Sequence, residues 1–172
     1  MRKILCYILC VVFSLTFMAC DSDNSPAKKA ANSSQKSETK TEETYSLNES
    51  AVFADLKFTA TEIKESNGNG IFVPQSNNVF VGVKFDIENI SDEEQHISSL
   101  LLFESYVDDV KVDYSFNAAC DFNEGTLDGS IAPGKKLVGW YALEVPSDWK
   151  NIEINVLSTW LSNNPAKFVF AK

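Results

Sequence analysis

The sequence predicts an all-β fold, an antiparallel sandwich or barrel of seven or eight short strands. Two observations carry this. Apolar residues recur at period two, most clearly in Val79-Phe80-Val81-Gly82-Val83-Lys84-Phe85-Asp86-Ile87, the pattern of a half-buried strand. Turn-forming clusters punctuate the chain at Asn67-Gly68-Asn69-Gly70, Ser91-Asp92-Glu93-Glu94, Val107-Asp108-Asp109, Ala132-Pro133-Gly134 and Ser162-Asn163-Asn164-Pro165. No 3.6-residue periodicity of helical length is present. A short helical turn near residues 47–54 or 148–150 would not change the class.

The strands follow in order between those turns. The first is expected over 52–63, and the alternating run 79–87 is the second. Segments 99–107, 111–116 and 125–131 come next. Gly139-Trp140-Tyr141-Ala142-Leu143-Glu144-Val145 places Tyr141, Leu143 and Val145 on one face, with Trp140 in opposite phase. Ile152-Glu153-Ile154-Asn155-Val156 alternates in the same way, and 167–171 closes the set.

A chain of 172 residues with 44% hydrophobic content suits one domain with a tail. Twelve Phe, five Tyr and three Trp can supply a sizeable core. The formal charge is −9, and Arg2 is the only Arg. Without the first 19 residues, 13 basic residues face 24 acidic ones, a net −11. Arginine is the preferred fork for phosphate, so an acidic chain lacking it is a poor fit to DNA, RNA or an anionic lipid surface. No nucleic-acid partner is expected.

The N-terminus reads as an export signal. Met1-Arg2-Lys3 is positive, and Ile4 to Ala19 is 16 residues without a charge. That is short for a membrane span of ~20 residues and matches a cleaved leader ending in a small residue. Leu15-Thr16-Phe17-Met18-Ala19-Cys20 resembles a bacterial lipobox, with Phe17 where Leu is usual. The resemblance implies that residues 1–19 are removed and that Cys20 carries the lipid. The expected location is then the extracytoplasmic face of the cell membrane. A Cys20–Cys120 disulfide, a plain signal peptide and an uncleaved anchor are the alternatives. If Cys20 is lipidated, Cys120 is left as a lone thiol and is expected to be mostly buried.

Residues 20–44 form a linker after that Cys. From Asp21 to Thr44 there is no aromatic residue and no Val, Ile or Leu. Such a segment cannot bury enough surface to offset its chain entropy, so disorder is expected. The domain then covers 45–172.

Two stretches of that domain carry a family resemblance. Asn78-Val79-Phe80-Val81-Gly82-Val83-Lys84-Phe85-Asp86-Ile87-Glu88-Asn89-Ile90-Ser91 has a hydrophobic strand ending in Asn and a polar turn. Later come Gly129, the Pro133-Gly134 turn and a strand ending at Val145-Pro146. Together they resemble a bacterial lipoprotein family with an immunoglobulin-like domain of unknown function. The domain is also similar in architecture to a secreted mycobacterial immunoglobulin-like antigen. The resemblance implies an immunoglobulin-like β-sandwich, tethered outside the cytoplasm. The motifs have structural reasons: Pro133 presets φ for a turn, Gly134 accepts positive φ, and Pro146 lacks a ladder donor.

Residues for chemistry are sparse. His96 is the only His and follows an acidic turn, so a solvated loop position is expected. No His-based metal set or triad is readable, so neither catalysis nor a cofactor is expected. Asp121-Phe122-Asn123-Glu124-Gly125 resembles the first half of a calcium loop, and Asp121 and Asn123 are its candidate ligands, with Asp108, Asp109 and Asp113 nearby in sequence. The Glu required at the twelfth position is absent, since Ala132 stands there. Trp140, Trp149 and Trp160 are candidates for stacking on sugars. If Phe80 and Trp140 share an exposed outer face, they make an apolar patch suited to a protein partner. The leading expectation is therefore a non-enzymatic, membrane-tethered module that binds another extracytoplasmic protein. Binding of calcium, a glycan or another small ligand is the alternative.

Overall fold

The computed structural model describes residues 43–53, 55–157 and 165–172. The leader, Cys20, nearly all of the linker and Trp160 lie outside them. The chain order is β1 (Thr44–Tyr45), β2 (Ser50–Phe53), β3 (Leu56–Ser66), β4 (Asn78–Asn89), β5 (Gln95–Ile97), α1 (Ser99–Leu102), β6 (Phe103–Val107), β7 (Val110–Val112), α2 (Phe116–Phe122), β8 (Gly129–Ile131), β9 (Lys136–Pro146), β10 (Asn151–Val156) and β11 (Ala166–Ala171). One sheet runs β1-β11-β10-β6-β7, the other β2-β3-β4-β9, and β5 pairs with β8. All pairings are antiparallel except β1 with β11. The expected β-sandwich is therefore the fold. The strands beyond the expected seven or eight are short pieces: β1 has two residues, and β5, β7 and β8 have three each.

The period-two pattern builds the core. Phe58, Val81, Val83, Phe85, Ile87, Tyr141 and Leu143 from one sheet meet Phe103, Ile152, Ile154, Val156 and Phe168 from the other, all buried. Each such side chain contributes about 1.5–3 kcal/mol on burial. Phe103 stacks on Tyr141 at 5.0 Å, and Phe85 meets Phe168 edge-on at 5.2 Å, the offset and T-shaped contacts that aromatic quadrupoles favour.

Asn89 explains why β4 ends as it does. Its side chain is wholly buried. Nδ2 donates to the carbonyls of Glu93 (2.7 Å) and Ile131 (2.8 Å). Oδ1 accepts from the Ser91 amide (2.9 Å) and hydroxyl (2.8 Å). Its backbone accepts from Gly134 and donates to Lys135. One residue thus fastens the turn after β4 to the Pro-Gly turn before β9. The Asn-containing motif is a structural clasp.

The β6–β7 hairpin turns through Asp108 and Asp109, with φ of 47° and 68°. Two positive φ values match the type I′ turn that suits strand twist.

Two helices depart from the sequence expectation. Residues 99–102, expected as strand, form one helical turn, and the segment expected as strand over 111–116 leaves the sheet after Val112 and enters α2 at Phe116. β8 occupies only 129–131 of the expected 125–131. In the other direction, half of 47–54 is strand β2, and the single strand expected over 52–63 is two, β2 and β3, paired antiparallel. Among the described residues no helix is long and apolar enough to cross a membrane.

Candidate binding cleft at the sandwich edge

Phe80 and Trp140 do share the outer face of the β2-β3-β4-β9 sheet, yet that face is closed at this point. Phe80, Trp140 and Ala142 are buried under α2, which supplies Ala118 and Phe122. The expectation of an exposed patch is corrected: the first half of β4 is buried on both faces, which alternation alone cannot reveal. Ser115 caps α2 by accepting from the Ala118 amide at 3.2 Å. Ala118 and Phe122 are four apart and face the sheet together. Phe122 stacks on Trp140 with centroids 5.0 Å apart. Gly82 makes the room, since a Cβ there would lie 2.8 Å from both Phe122 and Trp140. Lys84 sits 5.3 Å above the Trp140 ring and pairs with Glu124 at 2.9 Å. Lys84 first, and then the nearby Trp140 indole, hold the Glu124 carboxyl below its usual range. Trp140 Nε1 itself is buried without a hydrogen bond of ordinary geometry among the described residues.

The remaining candidates are placed as follows. Asp121 lies in the last turn of α2, and Asn123 is its left-handed cap at φ 44°. The stretch read as half a calcium loop is therefore a helix end, with Glu124 turned to Lys84. Asp108 accepts from the amides of Lys150 and Asn151. Among the described residues no three His, Cys, Asp or Glu side chains cluster as metal ligands. Trp149 is buried, donates from Nε1 to Glu65 at 2.7 Å and lies under Lys172, so it offers no stacking platform. Cys120 is exposed, against expectation. It sits two residues from both Ala118 and Phe122 and so points away from the face they bury. His96 is exposed on β5, with Nδ1 2.9 Å from the Ser130 hydroxyl.

The open site lies elsewhere. A cavity of about 270 Å³ opens between α1, the β6–β7 hairpin and β9. Tyr141 and Ser105 form its floor, and Tyr114 and Asp113 stand at its side. Ser105 Oγ donates to the Val112 carbonyl at 2.6 Å and lies 3.2 Å from the Tyr141 hydroxyl. Burial pushes both phenols up; the Ser105 hydrogen bond opposes this at Tyr141, while the Asp128 charge adds to it at Tyr114.

The rim of this cleft is apolar. In α1, Ser99 and Leu102 are three apart and turn inward, which leaves Leu100 and Leu101 pointing out, 57% and 61% exposed. Ser99 is fixed by Asp128, which accepts from its amide (2.9 Å) and hydroxyl (2.8 Å). Phe116, 65% exposed, packs edge-on against Tyr114 at 5.2 Å. Tyr114 in turn lies 5.5 Å from Tyr141. An aromatic row thus runs from the surface into the core. The signal in the sequence was Ser98-Ser99-Leu100-Leu101-Leu102, because three successive leucines cannot all face one side of a strand. A second depression, of about 300 Å³, is bounded by Tyr106, Asp108 and Glu153. It lacks such a rim.

Comparison with known proteins bears on this frame. Residues 45–166 match the family model described as "Domain of unknown function (DUF4352)". The chain belongs to this family. No curated protein matches. Among solved structures, a candidate lipoprotein of Bacillus subtilis (ycdA) aligns over 71% of this chain, with a TM-score of 0.55 and 14% identity. The match spans only 38% of that protein's length. An uncharacterised β-sandwich protein of Clostridium difficile aligns over 79% of this chain and 97% of its own, at 0.53 and 19%. A conserved hypothetical protein of Bacillus anthracis aligns over 72% and 94%, at 0.54 and 14%. At these identities the likeness is one of fold alone.

Proposed function

We propose that this DUF4352 chain is a lipid-anchored, extracytoplasmic module that binds a protein partner and carries out no reaction of its own. The observation that carries the reading is the exposed pair Leu100 and Leu101 in the lining of a small cleft, with exposed Phe116 packed on Tyr114 beside it. Exposed large apolar side chains gathered at one place mark interaction sites more often than scattered ones do. The lipobox-like stretch at Cys20 supports the address, as does the candidate lipoprotein among the structural relatives. The strand order supports an immunoglobulin-like reading: β3-β4-β9 corresponds to A-B-E, and β11-β10-β6-β7 to G-F-C-C′. In-cell crosslinking of the anchored protein, with mass spectrometry of what co-purifies, tests the partner. A dominant partner lost on Leu100→Asn with Leu101→Asn is the expected result. No enrichment above a lipid-anchor control overturns the reading.

A small ligand in the cleft is the second reading, favoured by the hydroxyls of Ser105, Tyr114 and Tyr141 at or beside the floor of the cavity. A cavity near the lower limit of ligand pockets would hold only a small molecule. Melting-temperature screens of the full chain against small polar ligands test it, and a flat screen rejects it.

A further inference from the structure

We infer that the cleft receives a cationic polypeptide segment, anchored on the rim by an aliphatic or aromatic side chain. This rests on the protein-binding reading above and names the chemistry of its partner. The argument is charge complementarity over an apolar surface. Three carboxylates stand at the cleft, Glu104 and Asp113 in its lining and Asp128 on Ser99, against a single Lys. That Lys, Lys111, lies 3.4 Å from Glu104, so it is already matched. Asp113 lines the cleft without an ion pair among the described residues. Asp128 accepts from the Ser99 amide and hydroxyl and has no ion pair among the described residues. Asp113, Glu104 and Asp128 all act on the two tyrosines at the cleft. A groove with an excess of one sign of charge concentrates the opposite sign and steers its approach.

Other occupants fit less well. Residues 45–172 hold 9 Lys and 19 acidic residues, so a second copy would bring like charge to like. An anionic headgroup meets the same repulsion. A lone metal ion would leave Leu100, Leu101 and Phe116 without a role.

The test uses the full chain in uncharged detergent and three fluorescent ten-residue probes. One alternates Lys with Leu, one alternates Glu with Leu, and one alternates Lys with Ser. The Lys/Leu probe is expected to bind at least ten-fold more tightly than either other probe. Leu101→Asn is expected to weaken it about ten-fold and Asp113→Asn about three-fold, with melting temperature unchanged because both side chains are at the surface. Raising salt from 50 to 500 mM should weaken it several-fold. Equal binding of the Glu/Leu or Lys/Ser probe overturns the inference, as does indifference to both substitutions or no binding at all. A photo-crosslinker replacing Leu101 on living cells separates the two levels of the argument. A captured partner whose crosslinked segment is basic and apolar supports the inference. One whose segment is acidic or neutral overturns it and leaves the protein-binding reading standing. Absence of any partner together with absence of probe binding overturns both.

Discussion

Phe122 and Trp140 stack 5.0 Å apart with their planes 20° from parallel, and this contact closes what would otherwise be an apolar hole in the outer face of a sheet. Helix α2 has seven residues, too few to be stable alone, so its position depends on that stack. Phe122→Ala is expected to cost about 3 kcal/mol and to shift tryptophan emission to the red as Trp140 meets water. Gly82→Ala should cost about 1–3 kcal/mol by overpacking the same contact. Urea unfolding followed by fluorescence reads both, and an unshifted emission maximum in Phe122→Ala would show that α2 does not depend on the stack.

Asn89 should be among the most sensitive polar positions. Asn89→Ala removes two donors and an acceptor from a buried site and leaves the Ile131 carbonyl and Ser91 amide without those partners. A loss of about 2–4 kcal/mol is expected from the orphaned groups. Asn89→Asp should be at least as damaging at neutral pH, because Nδ2 would become an oxygen facing two carbonyls. Urea midpoints of the two variants check this, and an Asp variant as stable as the parent would overturn the clasp.

Glu65 gives a pH dependence with a definite sign. The Lys172 ammonium, 2.7 Å away, holds its carboxyl below the ordinary value, helped by the Trp149 N–H and opposed by burial. A carboxyl whose folded pKa is lowered binds fewer protons folded than unfolded. Its stabilisation is present above the unfolded value, near 4.5, and is lost as pH falls through the lower folded one. Melting temperature should therefore drop below about pH 4.5, and the drop should be shallower in Glu65→Gln. An identical acid limb in that variant would remove Glu65 from the account.

Cys20→Ser tests the anchor directly. Loss of the thiol is expected to move the protein from the membrane fraction to the soluble one. Continued retention would argue for an uncleaved hydrophobic segment.

The sheets were legible because strand faces repeat every two residues, and β4, β9 and β10 each show that repeat over six residues or more. The site was not, and the reason is local. Phe80 and Trp140 do share one outer face, the condition the alternation left open, but nothing in a strand reveals what covers it. The cover, α2, is shorter than a helical period search can detect. Its signs were present in smaller form: Ser115 as a cap, Ala118 and Phe122 four apart, and Asn123 at the end. Reading Asp121 and Asn123 as ion ligands competed with those signs. The rim leucines were hidden the same way, inside a stretch whose later half, β6, is a genuine strand.

The pairing of β1 with β11 has a consequence for reach. β1 borders one edge of the five-stranded sheet and β7 borders the other, four interstrand gaps away, about 19 Å at ordinary strand spacing. The chain therefore enters the domain on the side remote from the cleft. A partner seated at α1 and the β6–β7 hairpin would leave Thr44 and Tyr45 unobstructed, so binding there and entry of the chain would not compete for one sheet edge.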